Sequence, residues 1–154
     1  MWAKNQGFTI IELLVSIVVI GILSTIMVVS YTGIQQRSRD TDRASDITQI
    51  KLALDKYHAE KSQYPSVCSA DGADCSVSLL AQELVPTHIK SIPHDPRNQA
   101  DSATDYRYVR GAIDTNDPTS ADSYALLVTY EAKAVCKTGV NVKSYWWGAG
   151  IPNC

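Results

Sequence analysis

Hydrophobic positions are distributed unevenly along the chain. From Leu13 to Gln36 no side chain is charged, and Ile10 to Val29 alone would form a helix about 30 Å long, the thickness of a bilayer's hydrocarbon core. A transmembrane helix is predicted there. Beyond it the pattern changes without a break. Ile47, Ile50, Leu54 and Tyr57 recur at helical spacing with Ala53 beside them, while Arg39 with Arg43 and Asp42 with Asp46 fall one turn apart on what reads as a solvated face. No proline interrupts the stretch before Pro65, and Gly33 is only a weak breaker. The two patterns join into one helix from about Ile10 to about Ser62, roughly 80 Å long, apolar all round in its first half and amphipathic in its second.

An amphipathic half must be covered, and the remaining chain supplies the cover. "SVSLLAQELVP", residues 76–86, reads as a short helix with Ser76 or Ser78 as N-cap and Pro86 as its stop. "IPHDPRNQADSAT" is loop by its prolines and Asp/Asn/Ser content. "DYRYVRGAI" alternates, with Tyr106, Tyr108 and Arg110 opposite Arg107, Val109 and Gly111. "SYALLVTYEA" sets Tyr124, Leu126, Val128 and Tyr130 opposite Ala125, Leu127, Thr129 and Glu131. "VNVKSYWW", residues 140–147, is a third strand by composition. The expected fold class is α+β, a long N-terminal helix packed on a small antiparallel sheet.

Length and charge narrow the function. At 154 residues with a net charge of −2, the chain holds one membrane segment and one small head, and it lacks the overall basic charge of a polyanion binder. All of its cysteines, Cys68, Cys75, Cys136 and Cys154, follow the apolar run, which points to an oxidising compartment for the head. A cleaved secretory signal is the competing reading of the N-terminus, but the apolar run exceeds the usual 7–15 residues or so, and Lys4 is the only basic residue before it. The positive-inside rule does not decide orientation, because Arg37, Arg39 and Arg43 stand opposite Lys4.

Glu12 is the odd residue, a carboxylate at the start of an otherwise apolar span. A charge deep in a lipid-facing helix costs at least ~2.5 kcal/mol and marks function or a partner, the alternative here being a carboxylate resting at the interface. Lys4 is the only cationic side chain between Trp2 and Gln36. A cut between Gly7 and Phe8 would create an amine four residues from Glu12, on the same helix face.

These residues carry a resemblance. "KNQGFTIIELLVSIVVIGIL" is similar to the prepilin signature of type IV pilins and type II secretion pseudopilins: a short leader ending in glycine, then Phe, a glutamate four residues on, and a long apolar helix. The resemblance implies removal of residues 1–7 by a membrane prepilin peptidase and N-methylation of Phe8. It implies pairing of Glu12 with the Phe8 amine of a neighbouring subunit as helices bundle into a homo-oligomeric or mixed filament on an assembly platform in the membrane. It also implies a layout of leader 1–7, transmembrane half 8–31, amphipathic half 32–63 and head 64–154. The head would lie outside the cytoplasm before assembly, and the product would be an extracellular pilus or a periplasmic pseudopilus. "QYP", "IKSIPHDP" and "YRYV" resemble the region where the major pseudopilin carries a DPWGNPY-type motif, with Arg97 where its Trp would stand.

Cys136 and Cys154 enclose a loop like the disulfide-bounded loop of many type IV pilins, and Cys68 with Cys75 would close a small ring; those two pairs are expected, although four cysteines permit three connectivities. Asp114, Asn116, Asp117 and Asp122 are weak calcium candidates, placed as in some pseudopilins, and otherwise a solvated acidic loop. Zinc is disfavoured by the cysteine spacing. Lys133, Lys137 and Lys143 near Tyr145, Trp146 and Trp147 could suggest DNA or carbohydrate contact, but these lysines are few, and a Trp on a terminal strand is expected to pack against a helix. His58, His88 and His94 are scattered, His94-Asp95 reads as turn chemistry, and no catalytic motif occurs. The chain is read as a non-enzymatic, cofactor-free filament subunit of a pilus-like assembly, with a type II secretion pseudopilin as the alternative and a single-pass anchored binding module as the second. No nucleic acid partner is expected.

Overall fold

The computed structural model describes residues 7–97, 105–111, 122–148 and 150–154, with the side chains of 28–30 set aside. Helix α1, Ile10–Lys61, runs unbroken through 52 residues. It starts at Thr9, which is extended and caps the first turn, and it stops at Ser62, whose left-handed backbone lets its N–H return to the His58 carbonyl. The first half is bare: Ile10, Leu13, Leu14, Ile17, Ile20 and Ile26 are all exposed. An apolar surface of that extent on a helix long enough to span a bilayer is suited to lipid or to other helices, not to water.

From Asp40 onward α1 is covered by the head. The sheet is an antiparallel meander in the order β1 (Asp74–Ser76), β2 (Arg107–Arg110), β3 (Tyr124–Val128), β4 (Cys136–Val140). Between β1 and β2 lies a tight turn of 3-10 helix, Val77–Leu80, running into α2, Ala81–Leu84, with the Ser76 hydroxyl accepting from the Ser78 N–H. Ile47, Ile50, Ala53, Leu54 and Tyr57 of α1 meet Tyr106, Tyr108, Tyr124, Leu126 and Val128 in the main core, as the two periodicities predict. The opposite sheet face is also closed, because Trp146 packs on Val109 and Ala125 with Val142 and Trp147 alongside.

Three expectations are corrected. The last strand is Cys136–Val140, not residues 140–147: Asn141 turns to φ 50°, and the following segment folds back across the sheet. Lys137 holds it there, its buried ammonium donating to the carbonyl oxygens of Lys143, Ser144 and Trp146 at 3.2, 2.9 and 3.0 Å. Trp146 accordingly covers the sheet face away from α1, against the expected helix contact. The third correction concerns the face of α1 read as solvated: Asp42 is exposed, but Arg43 is buried, with 2% exposure, as is its neighbour Asp40. β1, only three residues long, carries no periodic signal. It is a strand because it pairs with β2, Cys75 facing Tyr108, next to the ring closed by Cys68–Cys75.

Gly139 shows how closely the sheet is packed. A Cβ there would overlap the Tyr124 carbonyl oxygen and come within 2.9 Å of the Ala125 Cα, so only glycine permits β4 to lie beside β3 at this register.

Candidate functional site at the helix start and the helix–head joint

Two arrangements on α1 carry the chemistry, one at each end of its bare half. At the start, Glu12 folds back on Thr9. Its Oε2 accepts from the Thr9 N–H at 2.9 Å and from the Thr9 hydroxyl at 2.8 Å, while the Glu12 N–H donates to the Thr9 Oγ1 at 3.3 Å. This is a reciprocal capping box, and it gives the carboxylate a local partner in an apolar segment. Among the described residues, Oε1 of Glu12 accepts no hydrogen bond, and Phe8, four residues back, is 87% exposed. Gly7 is exposed just before it, whereas residues 1–6 lie outside the described residues. Thr9 was not singled out from the sequence, although the T-x-x-E spacing before an apolar run is its signature.

At the other end, a buried ion cluster joins helix to head. Arg43 donates from Nε to Asp95 Oδ2 at 2.6 Å, from Nη2 to Asp95 Oδ1 at 3.0 Å and from Nη1 to Asp40 Oδ1 at 2.7 Å. Its Nη2 also lies 3.0 Å from Glu131 Oε1. Arg39 holds the same Glu131 through two bonds of 2.7 Å. Asp40 accepts from the backbone N–H of Glu131 and Ala132, each at 2.9 Å. Hydrogen bonds from Arg39 pull the Glu131 carboxyl down to about 2, against a smaller opposing effect of burial. Burial opposes ionisation of Asp40 too, but the two N–H donors and Arg43 outweigh it, and its carboxyl sits below the usual range.

The loop bearing Asp95 is fixed in turn by Asp105, which accepts from the N–H of Asp95 at 3.0 Å and of Tyr106 at 2.8 Å and meets His94 Nδ1 at 2.7 Å. His94-Asp95 is therefore a structural anchor beyond ordinary turn chemistry. Buried ion pairs add little net stability but are costly to break, and their fixed forks select one geometry. Here that geometry is the angle between the bare helix and the head.

The remaining candidates are dispersed. Cys68 is bonded to Cys75 and Cys136 to Cys154, the latter tying the chain end to β4. Asp122 is exposed, 3.2 Å from His58 Nε2, while Asp114, Asn116 and Asp117 lie outside the described residues. His88 stands edge-on to Tyr57, and His58 stacks on Tyr64. Lys137, weighed as a surface cation, is buried.

A bare apolar helix long enough to span a bilayer, set on a small α+β head, defines the class of fold: one whose exposed helix is suited to lipid or to other helices. Comparison with known proteins is specific. The family described as the prokaryotic N-terminal methylation motif matches residues 2–28. The type II secretion system core protein G of Aeromonas hydrophila is 30% identical over 99 residues, covering 60% of this chain and 68% of that protein. The same-named protein of Escherichia coli K12 is 31% identical over 99 residues, covering 60% and 67%. The type IV major pilin protein PilA of Myxococcus xanthus is 29% identical over 100 residues, covering 54% of this chain and 46% of that protein. No solved structure matches. The chain belongs to the type IV pilin and type II secretion pseudopilin family, whose members are structural subunits. It is a pilin-like filament subunit with a membrane-anchoring helix.

Proposed function

We propose that the chain is stored in the inner membrane as a prepilin with its head outside the cytoplasm, is cut by a prepilin peptidase after Gly7, and is N-methylated on Phe8. The processed subunit then joins a filament in which Glu12 receives the Phe8 amine of a neighbour. In this reading residues 1–7 are leader, 8–31 the transmembrane half of the helix, 32–63 its amphipathic half and 64–154 the head. The protein has no catalytic role, and its partners are further pilin-like subunits and the membrane platform that assembles them. The single observation that carries the reading is Glu12, whose Oε2 is held by Thr9 while Oε1 accepts no hydrogen bond among the described residues. One oxygen is committed to Thr9 and the other can accept an ammonium. At about 4 Å and an effective dielectric near 20 such a pair gains of order 4 kcal/mol, comparable to the cost of holding the carboxylate in an apolar core.

Intact mass spectrometry of the protein from its host, with and without reduction, tests this. The expected mass is that of residues 8–154 plus one methyl group, rising by four hydrogens on reduction. A chain retaining Met1 would overturn the processing step.

A secretion pseudopilus is the second reading, favoured by the relatives named core protein G. The Cys136–Cys154 loop, which resembles that of type IV pilins, favours a surface pilus. Shearing intact cells separates the two: subunits released with surface fibres support the pilus, and subunits retained beneath the outer envelope support the pseudopilus.

A further inference from the structure

Two further cations, Arg37 and Lys133, stand beside the ion cluster. They line one open surface cleft, with Asp40, Thr41, Ala44 and Ala132 as its other walls, all of them exposed except Asp40. Arg37, Thr41 and Ala44 follow one another on a single face of α1, and Lys133 comes from the segment between β3 and β4. Among the described residues neither cation has an ion-pair partner; Lys133 lies over the Tyr130 ring, 5.7 Å from its centre. Asp40, the one acidic wall residue, is already neutralised by Arg43 and two backbone N–H groups. The cleft is therefore net basic.

Its position indicates the ligand. Arg37 is the first charged residue after the apolar run and lies about 12 Å along the helix beyond Val29. A headgroup layer adds about 5–8 Å to each side of a hydrocarbon core. Side chains on a helix lean toward its N-terminus, so the Arg37 stem slopes back toward the bilayer and lowers its guanidinium into reach of that layer. Tyr31, 62% exposed, sits between apolar run and cleft, where aromatic rings mark membrane interfaces.

We propose that the Arg37–Lys133 cleft binds the phosphate of an anionic phospholipid in the outer leaflet of the storing membrane. It holds the head upright until the subunit is withdrawn. The inference rests on membrane storage but on neither leader removal nor the kind of filament.

The test is native mass spectrometry of the full chain released from mixed micelles containing phosphatidylglycerol and phosphatidylcholine. The wild type should retain phosphatidylglycerol in preference, and Arg37→Gln with Lys133→Gln should lower that preference roughly thirty-fold, as expected for two interfacial cations. Lys56→Gln with Lys90→Gln, equal in charge loss but farther along the molecule, should leave it unchanged. Equal retention of both lipids by the wild type, or an undiminished preference in the Arg37/Lys133 variant, overturns the site. Displacement of the lipid by millimolar inorganic phosphate overturns the lipid assignment in favour of a soluble anion. Extraction of the chain from membranes by alkaline carbonate would refute membrane storage itself, and the lipid site with it.

Discussion

At the scale of single residues, the joint between helix and head depends on Arg43. It is almost fully enclosed and satisfies two carboxylates by hydrogen bonds and a third by an ion pair. Replacing Arg43 by Met removes the cation shared by Asp40, Asp95 and Glu131, a loss of about 3–5 kcal/mol. Urea unfolding of the head should show a midpoint shift of that size, together with increased protease cleavage near the joint. Glu131 sets an acid limit. Its folded carboxyl is depressed from 4.5 to about 2, so its stabilisation is complete above pH 4.5 and disappears as pH falls toward about 2. Thermal melts of the wild type should decline through this window, and Glu131→Gln should flatten the decline without abolishing it, since Asp40 is depressed as well.

At the scale of elements, α1 does two jobs in one continuous helix, because no proline or cap divides it. Its distal half is stabilised by core packing: Ile50→Ala should cost about 2–5 kcal/mol, measurable by denaturant titration of the head. The β3–β4 pairing depends on Gly139. Gly139→Val should separate these strands and expose Trp146, seen as a red-shifted tryptophan emission, because the added side chain would occupy the position of the Tyr124 carbonyl. The cluster also joins two elements: Arg39 and Arg43 of α1 meet the head carboxylates of Glu131 and Asp95.

At the scale of the whole molecule, two disulfides staple a small core. The Cys136–Cys154 bond closes a loop with a separation of 18 residues, which by loop entropy stabilises by about 3 kcal/mol. Reduction should lower the melting temperature of the head while leaving the membrane helix inserted, a result read by comparing circular dichroism with carbonate extraction. Glu12→Ala should preserve leader removal yet impair filament formation, and normal filaments from that variant would refute the pairing mechanism.

The long helix, its two characters, the inward-facing tyrosines of β2 and β3 and the Gly7-Phe8-Glu12 spacing were legible in the sequence alone. Each is a local property: periodicity, cap chemistry or contiguous hydropathy. The Arg43 cluster, β1, the displacement of the last strand and the burial of Lys137 were not. They depend on partners far away in sequence, such as Asp95 and Glu131 for Arg43 and Tyr108 for Cys75. A charged residue on a helix looks solvated until the fold brings it an opposite charge. Burial of an ion is decided by what surrounds it in space, and only tertiary structure supplies that.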